Sequence, residues 1–178
     1  MLTIDSSLFF VLHSLAGRST LGDFLIIFFA KYLLYFVALV FGFFIYQNWR
    51  KGNISRLYSY GMAFMTAIVA RFGLASLIRF FFHRPRPFLV FNISHLISND
   101  EYSFPSGHTI FLFALATATY FFHKKLAYFL YISGFLVGFA RVVAGAHYPS
   151  DIVGGIVLGV FTGIIMYKSL GKCFTFFK

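Results

Sequence analysis

Charge is scarce in this chain: 11% of its 178 residues are Asp, Glu, Lys or Arg, and five of them are acids. A soluble globule carries about 25% charged residues, so the shortage excludes an ordinary cytosolic domain. Intrinsic disorder is excluded too, because 60% of the residues are apolar and disordered segments are poor in such side chains. Cys173 is the one cysteine, so an internal disulfide is impossible and the redox compartment is unreadable. No spacing of Cys and His resembles a zinc site, and neither a metal nor another cofactor is expected. The start of the chain lacks the basic residues and small-residue cleavage site of a secretory signal, which predicts a mature N-terminus. Tandem repeats, low-complexity tracts and soluble linkers are absent as well. Residues 1–178 are therefore expected to form one integral-membrane domain.

What the chain has instead is 28 Phe and 11 Tyr, with a mean hydropathy of +0.82. Aromatic content on that scale needs an apolar solvent, which is the interior of a bilayer. The net charge of +10 could point to nucleic acid. However, the basic residues sit between apolar runs and have no soluble face on which to work, so nucleic-acid binding is not expected.

A span needs about 20 mainly apolar residues. The sequence predicts an all-α, polytopic membrane helix bundle with five spans: Phe24–Tyr46, Leu57–Phe82, the shorter His108–Phe122, Leu126–Val143 and Ile152–Leu170. Ile4–Leu15 would be about 18 Å long as a helix, too short to cross, and is expected to be interfacial or re-entrant. Arg50, Lys51, Arg56, Lys124, Lys125, Lys168, Lys172 and Lys178 then share one side without any acid. All five acids (Asp5, Asp23, Asp100, Glu101 and Asp151) fall on the other. The positive-inside rule makes the basic side and the C-terminus cytoplasmic, with the loops Phe82–Ser106 and Ala144–Asp151 facing outward. Gly154, Gly155, Gly159 and Gly163 in the last span predict close helix packing. Lys31 and Arg71 lie inside spans, where charge is costly and often functional. They add positive potential below an outward-facing site, or else they snorkel or line a water-filled crevice.

Three clusters sit at the outward helix ends. Arg79 is followed by His83-Arg84-Pro85-Arg86-Pro87, then comes Pro105-Ser106-Gly107-His108, and Arg141 is followed by His147-Tyr148-Pro149-Ser150-Asp151. Each cluster alone has a bland reading as a lipid-headgroup anchor, a helix start or a solvated loop. Together on one face they describe a phosphate site. Arg79, Arg86 and Arg141 present planar forks of donors that match phosphate oxygens. Ser106 stands at a helix N-cap, where backbone N–H groups favour an anion, and Gly107 lets backbone approach it. His108 and His147 are each suited to act as nucleophile or general acid. Asp151, four residues after His147, is placed to fix its tautomer.

The spacing Arg79-x6-Arg86-Pro87, Pro105-Ser106-Gly107-His108 and Arg141-x5-His147-x3-Asp151 resembles the three signature motifs of the type 2 phosphatidic acid phosphatase superfamily. Two departures are visible. The family's first motif usually opens with Lys where this chain has Arg79, and the family core commonly has six helices, of which Ile4–Leu15 would be the first. The resemblance implies metal-independent phosphate ester or diphosphate hydrolysis through a phosphohistidine. In that scheme His147 attacks phosphorus, Asp151 orients it, and His108 protonates the leaving oxygen and then activates water. Arg79, Arg86, Ser106, Gly107 and Arg141 hold the phosphoryl oxygens. Apart from that scheme, Arg84 stands beside the motif arginines and is expected to be an additional head-group contact. Phe9–His13 followed by Asp23, together with Arg84-Pro85-Arg86-Pro87-Phe88, is similar to the bacitracin-resistance type of undecaprenyl-diphosphate phosphatase. That likeness implies recycling of the polyprenyl carrier of cell-wall synthesis at the outer face of the bacterial cytoplasmic membrane. Phosphatidylglycerophosphate, phosphatidate and lipid A phosphatases of the same family are the alternatives. A non-catalytic lipid-binding or transport protein is a remote one, since the matched halves of a transporter are absent.

Overall fold

The computed structural model describes residues 4–98 and 102–175, with side chains as far as Ser169. Asp100, Glu101 and Lys178 lie outside the described residues, and so do the side chains of Lys172 and Cys173. Among the described residues all regular structure is helical. The short α1 (Ile4–His13) precedes a rod, Thr20–Arg50, made of α2 (Thr20–Ile27), a π-helical turn (Phe28–Tyr32) and α3 (Leu33–Arg50). A second rod, Ile54–Phe81, repeats that plan with α4 (Ile54–Ile68), a π-helical turn (Val69–Leu74) and α5 (Ala75–Phe81). Then follow α6 (Pro87–Phe91), α7 (Gly107–Tyr120), α8 (Lys124–Val143) and α9 (Pro149–Thr175).

Local signals set these boundaries. The Ser19 side chain accepts from the amide of Gly22, and that of Asn53 from the amide of Arg56, each satisfying a donor that a helix start leaves open. Pro87 and Pro149 occupy first turns, where proline's missing N–H costs nothing.

Four stretches are long and apolar enough to cross a bilayer: Thr20–Arg50, Ile54–Phe81, Lys124–Val143 and Pro149–Ser169. The third expected span is α7, whose 14 residues make a helix of about 21 Å. It sits at the centre of the bundle between α4, α8 and α9, with most of its side chains buried. Protein rather than lipid surrounds it, and the connecting segments complete its length. At one end Arg79 Nη2 donates to the carbonyl of Pro105 at 2.8 Å, and at the other Arg56 Nη1 donates to that of Phe122 at 2.5 Å. Leu39, Phe43, Phe80, Phe135 and Phe161 point outward and are exposed, an apolar belt of the kind a bilayer covers.

The glycines of α9 form the seam against α7. A Cβ on Gly159 would stand 2.7 Å from the carbonyl oxygen of Ile110, and one on Gly155 3.1 Å from that of Ser106. Gly163 meets the Thr117 side chain and the Ala114 carbonyl, so the two helices touch at three successive glycines. This close approach lets the amide of Ser106 donate to the Asp151 carbonyl at 3.1 Å, which joins the starts of α7 and α9. α1 lies across that same end. Phe9 is fully buried against Val142, Tyr148 and Ile152, and His13 Nδ1 lies 2.8 Å from the carbonyl of Val143.

Candidate active site

The end of the bundle that carries α1 gathers all three clusters. Arg79 is in the last turn of α5, and Arg84 and Arg86 lie in the extended segment before α6. Ser106 is the N-cap of α7, and Gly107 and His108 open the helix. Arg141 is in the last turn of α8. Here the chain must reverse at once to start α9. Gly145 adopts a φ of +88°, its amide donates to the carbonyl of Val142, and the amide of Ala146 donates to that of Arg141. These two bonds make a Schellman cap, which needs a left-handed residue at that position. The cap delivers His147 to the site directly above Arg141.

His147 is 1% exposed and Asp151 fully buried. Nδ1 of His147 lies 3.5 Å from Asp151 Oδ2. That is an ion-pair distance, longer than a well-made hydrogen bond, and catalytic contacts of this kind commonly tighten when substrate binds. The other ring nitrogen fixes the tautomer. Arg86 Nη1 lies 3.2 Å from Nε2, and a guanidinium only donates, so Nε2 carries the lone pair and Nδ1 the proton. Burial above all, aided by the charges of Arg141 and Arg86 and opposed by Asp151, pushes the imidazole pKa from its ordinary 6.5 down to about 3. At neutral pH His147 is an uncharged base with its lone pair in a cationic pocket.

The Asp151 carboxylate is held from four directions. Oδ2 accepts from the amide of Tyr148 at 2.8 Å and from the hydroxyl of Ser103, and faces His147. Oδ1 accepts from Arg84 Nη1 at 2.7 Å. Arg84 Nη2 in turn donates to Asp5 Oδ2 at 2.5 Å. Ser150 closes the ring through its amide and hydroxyl, both donated to Asp5. The guanidinium also stacks 4.0 Å over the Tyr148 ring. The sequence reading made Arg84 a head-group contact; in the structure two carboxylates, Asp5 and Asp151, engage that side chain. Asp5, Ser103 and Ser150 were not singled out in the sequence. Asp5 carries no local signal, being far from Arg84 in the chain, whereas Ser103 and Ser150 lie within the motif loops.

The remaining arginines of the motifs are buried. Arg86 Nη1 donates to the carbonyl of Ala146 at 2.8 Å, and Arg141 Nη1 to that of Ala30 at 3.1 Å. Ser106 Oγ accepts from Thr109 Oγ1 at 3.0 Å and makes no cap to the helix, so its own proton is placed to donate to an anion. Arg141 Nη1 lies 3.4 Å from His108 Nε2, while His147, Arg86 and Arg71 all stand within electrostatic reach of that ring.

Two cavities meet at His108. One, of about 350 Å³, is lined by Lys31, Ser98, His108 and Arg141 under the Leu96–Ser98 loop. The other, of about 570 Å³, is mainly apolar; it opens between α3 and the second rod, with Arg71, Gly107 and His108 at one end and Phe41 and Ile45 along it. Such an arrangement binds an anionic head beside an apolar chain.

Fold and site together define an integral-membrane lipid phosphatase. The sequence profile described as the PAP2 superfamily matches residues 57–174, and the chain belongs to that superfamily. Its relatives include "Undecaprenyl-diphosphatase BcrC" of Bacillus subtilis, 30% identical over 93% of this chain and 83% of that protein. "Bacitracin transport permease protein BcrC" of Bacillus licheniformis is 30% identical over 96% and 82%. Among solved structures, Aquifex aeolicus LpxE superposes with a TM-score of 0.68 and 27% identity, covering 94% of this chain and 96% of that one.

Proposed function

We propose that this chain hydrolyses undecaprenyl diphosphate to undecaprenyl phosphate through a phosphohistidine at His147. It acts as a single-domain enzyme of the bacterial cytoplasmic membrane and recycles the lipid carrier of cell-wall synthesis. The observation that carries the reading is the state of His147: uncharged, with its lone pair on Nε2, beside Arg86 and backed by Asp151. In the first step Nε2 bonds to the terminal phosphorus, and the bridging P–O bond breaks. The departing lipid phosphate takes a proton from His108. In the second step water attacks the phosphoryl group, His108 accepts a water proton, and the N–P bond breaks to release inorganic phosphate. Arg79, Arg86, Arg141, the Ser106 hydroxyl and the Gly107 amide balance the charge on the transferred group, which is most of what phosphoryl transfer asks of a protein. An anion that draws Arg141 onto its oxygens leaves His108 Nε2 open to a proton.

The cavity beside His108 is lined with apolar side chains that suit a lipid tail. Support for a polyprenyl diphosphate over other lipid phosphates comes from the Bacillus subtilis relative, which is described as an undecaprenyl-diphosphatase. Phosphate release from a panel of lipid mono- and diphosphates, with a chelator present, tests this. Undecaprenyl diphosphate should be turned over faster than phosphatidate or phosphatidylglycerophosphate, and the chelator should have no effect. Faster release from either monophosphate would remove the cell-wall assignment and leave the superfamily standing.

The site is proposed to face outward and the C-terminus inward. Arg50, Lys51, Arg56, Lys124 and Lys125 lie at the end opposite His147, which the positive-inside rule makes cytoplasmic. Cysteines placed at Asn92 or Ser98 should react with a membrane-impermeant thiol reagent in intact cells, and one at Asn53 should not. The reverse pattern would invert the topology.

A further inference from the structure

We infer that Lys31 and Arg71 form a subsite for the leaving phosphate of a lipid diphosphate, the phosphate that stays on the lipid. The inference rests on the diphosphatase reading above and assigns it a specificity determinant. In the sequence these residues are two cations inside membrane spans, where a charge is costly and is commonly kept for function. The structure adds a shared local feature. Lys31 lies in the π-helical turn Phe28–Tyr32 and Arg71 in Val69–Leu74, and these are the two π-helical segments among the described residues. Such turns are rare and concentrate at functional sites.

Each residue also lines a cavity that it shares with His108. Lys31 lies in the smaller one with Arg141. Arg71 lies at the head of the larger, apolar one, where it packs on Gly107 so closely that a Cβ there would collide with the Arg71 Nε. In-line displacement gives that location its meaning. If His147 Nε2 attacks phosphorus from one side, the bridging oxygen departs on the other, toward its proton donor His108. The group beyond that oxygen must occupy the space past His108. In a monophosphate ester that group is an uncharged alkyl chain, which needs no cation. In a diphosphate it is a second phosphate followed by the tail. A guanidinium between the Gly107 turn and an apolar groove, with an ammonium in the adjoining cavity, suits that sequence of charge and then hydrocarbon. Arg84 has no part in this, because Asp5 and Asp151 hold it.

The test compares kcat/KM for farnesyl diphosphate and farnesyl phosphate in the full-length wild-type protein, Arg71→Gln, Lys31→Gln and Arg71→Lys. Each Gln variant should lower the diphosphate-to-monophosphate ratio by about tenfold, as loss of one charge-assisted contact does. Arg71→Lys should recover part of it. Competitive inhibition by farnesyl phosphate, which is the product, should weaken more than inhibition by inorganic phosphate, which occupies the motif site. Lys31 is exposed, so Lys31→Gln carries the test if Arg71→Gln does not fold. Equal losses on both substrates, or product inhibition that weakens in step with that by inorganic phosphate, would overturn the subsite. A wild-type enzyme that cleaves farnesyl phosphate and spares the diphosphate would overturn the substrate reading itself, and is recognised before any variant is made.

Discussion

Replacing His147 with Gln is expected to lower phosphate release by about 10⁴-fold or more, since its Nε2 is the lone pair that Arg86 and Asp151 hold in place for attack on phosphorus. Gln is preferred to Ala because His147 is 1% exposed. The sequence places it in an outward loop, where truncation would be harmless, but in the buried setting Ala would leave a void. The measurement is turnover together with a thermal melt in detergent, so that lost chemistry is separated from lost fold. Retention of a tenth of the activity by a folded variant would remove His147 as nucleophile. The same residue makes a statement about acid. Its folded pKa, about 3, lies below the ordinary 6.5, so its contribution to stability is fully present above about pH 6.5 and declines as the pH falls toward 3.

Asp151→Asn is the second large effect, expected to cost about 10⁴-fold in kcat, as when a carboxylate behind a catalytic histidine becomes an amide. The carboxylate accepts from the Tyr148 amide, the Ser103 hydroxyl and Arg84. An amide has one oxygen, so at least one of these donors would face an NH₂ group. The Arg84 pair is lost as well, at a smaller cost than stranding a buried charge, because Arg84 is 24% exposed and keeps its pair with Asp5. A lower melting temperature should therefore accompany the lower kcat. Normal turnover in a folded Asp151→Asn protein would show that His147 does not need the carboxylate behind it.

Spans, helix ends and the three motif clusters were legible because their signals are local. Long apolar runs, prolines in first turns and the glycine seam of α9 each act within a few residues of themselves. The seam needs only the knowledge that small residues four apart let helices touch. The spacing of Arg141, His147 and Asp151 is legible for a similar reason: a Schellman cap and one helical turn fix it. What escaped the sequence depends on distant partners. Arg84 reads as one more phosphate-binding cation until α1 brings Asp5 across the end of the bundle. The π-helical turns under Lys31 and Arg71 leave no composition signal, because they are single-residue changes of register within continuous apolar helices. The short α7 was read as a span somewhat below normal length. Its reach comes from flanking segments and from protein on all sides, which apolar counting does not see.

The most direct test of the covalent mechanism is the stereochemical course at phosphorus. A prenyl diphosphate whose terminal phosphoryl group is made chiral with sulfur and oxygen isotopes is hydrolysed, and the configuration of the released thiophosphate is read. Attack by His147 followed by attack of water is two in-line displacements, each inverting phosphorus, so the account predicts net retention. Net inversion would mean that water attacks the lipid diphosphate directly, with His147 as its base, and would contradict the phosphohistidine.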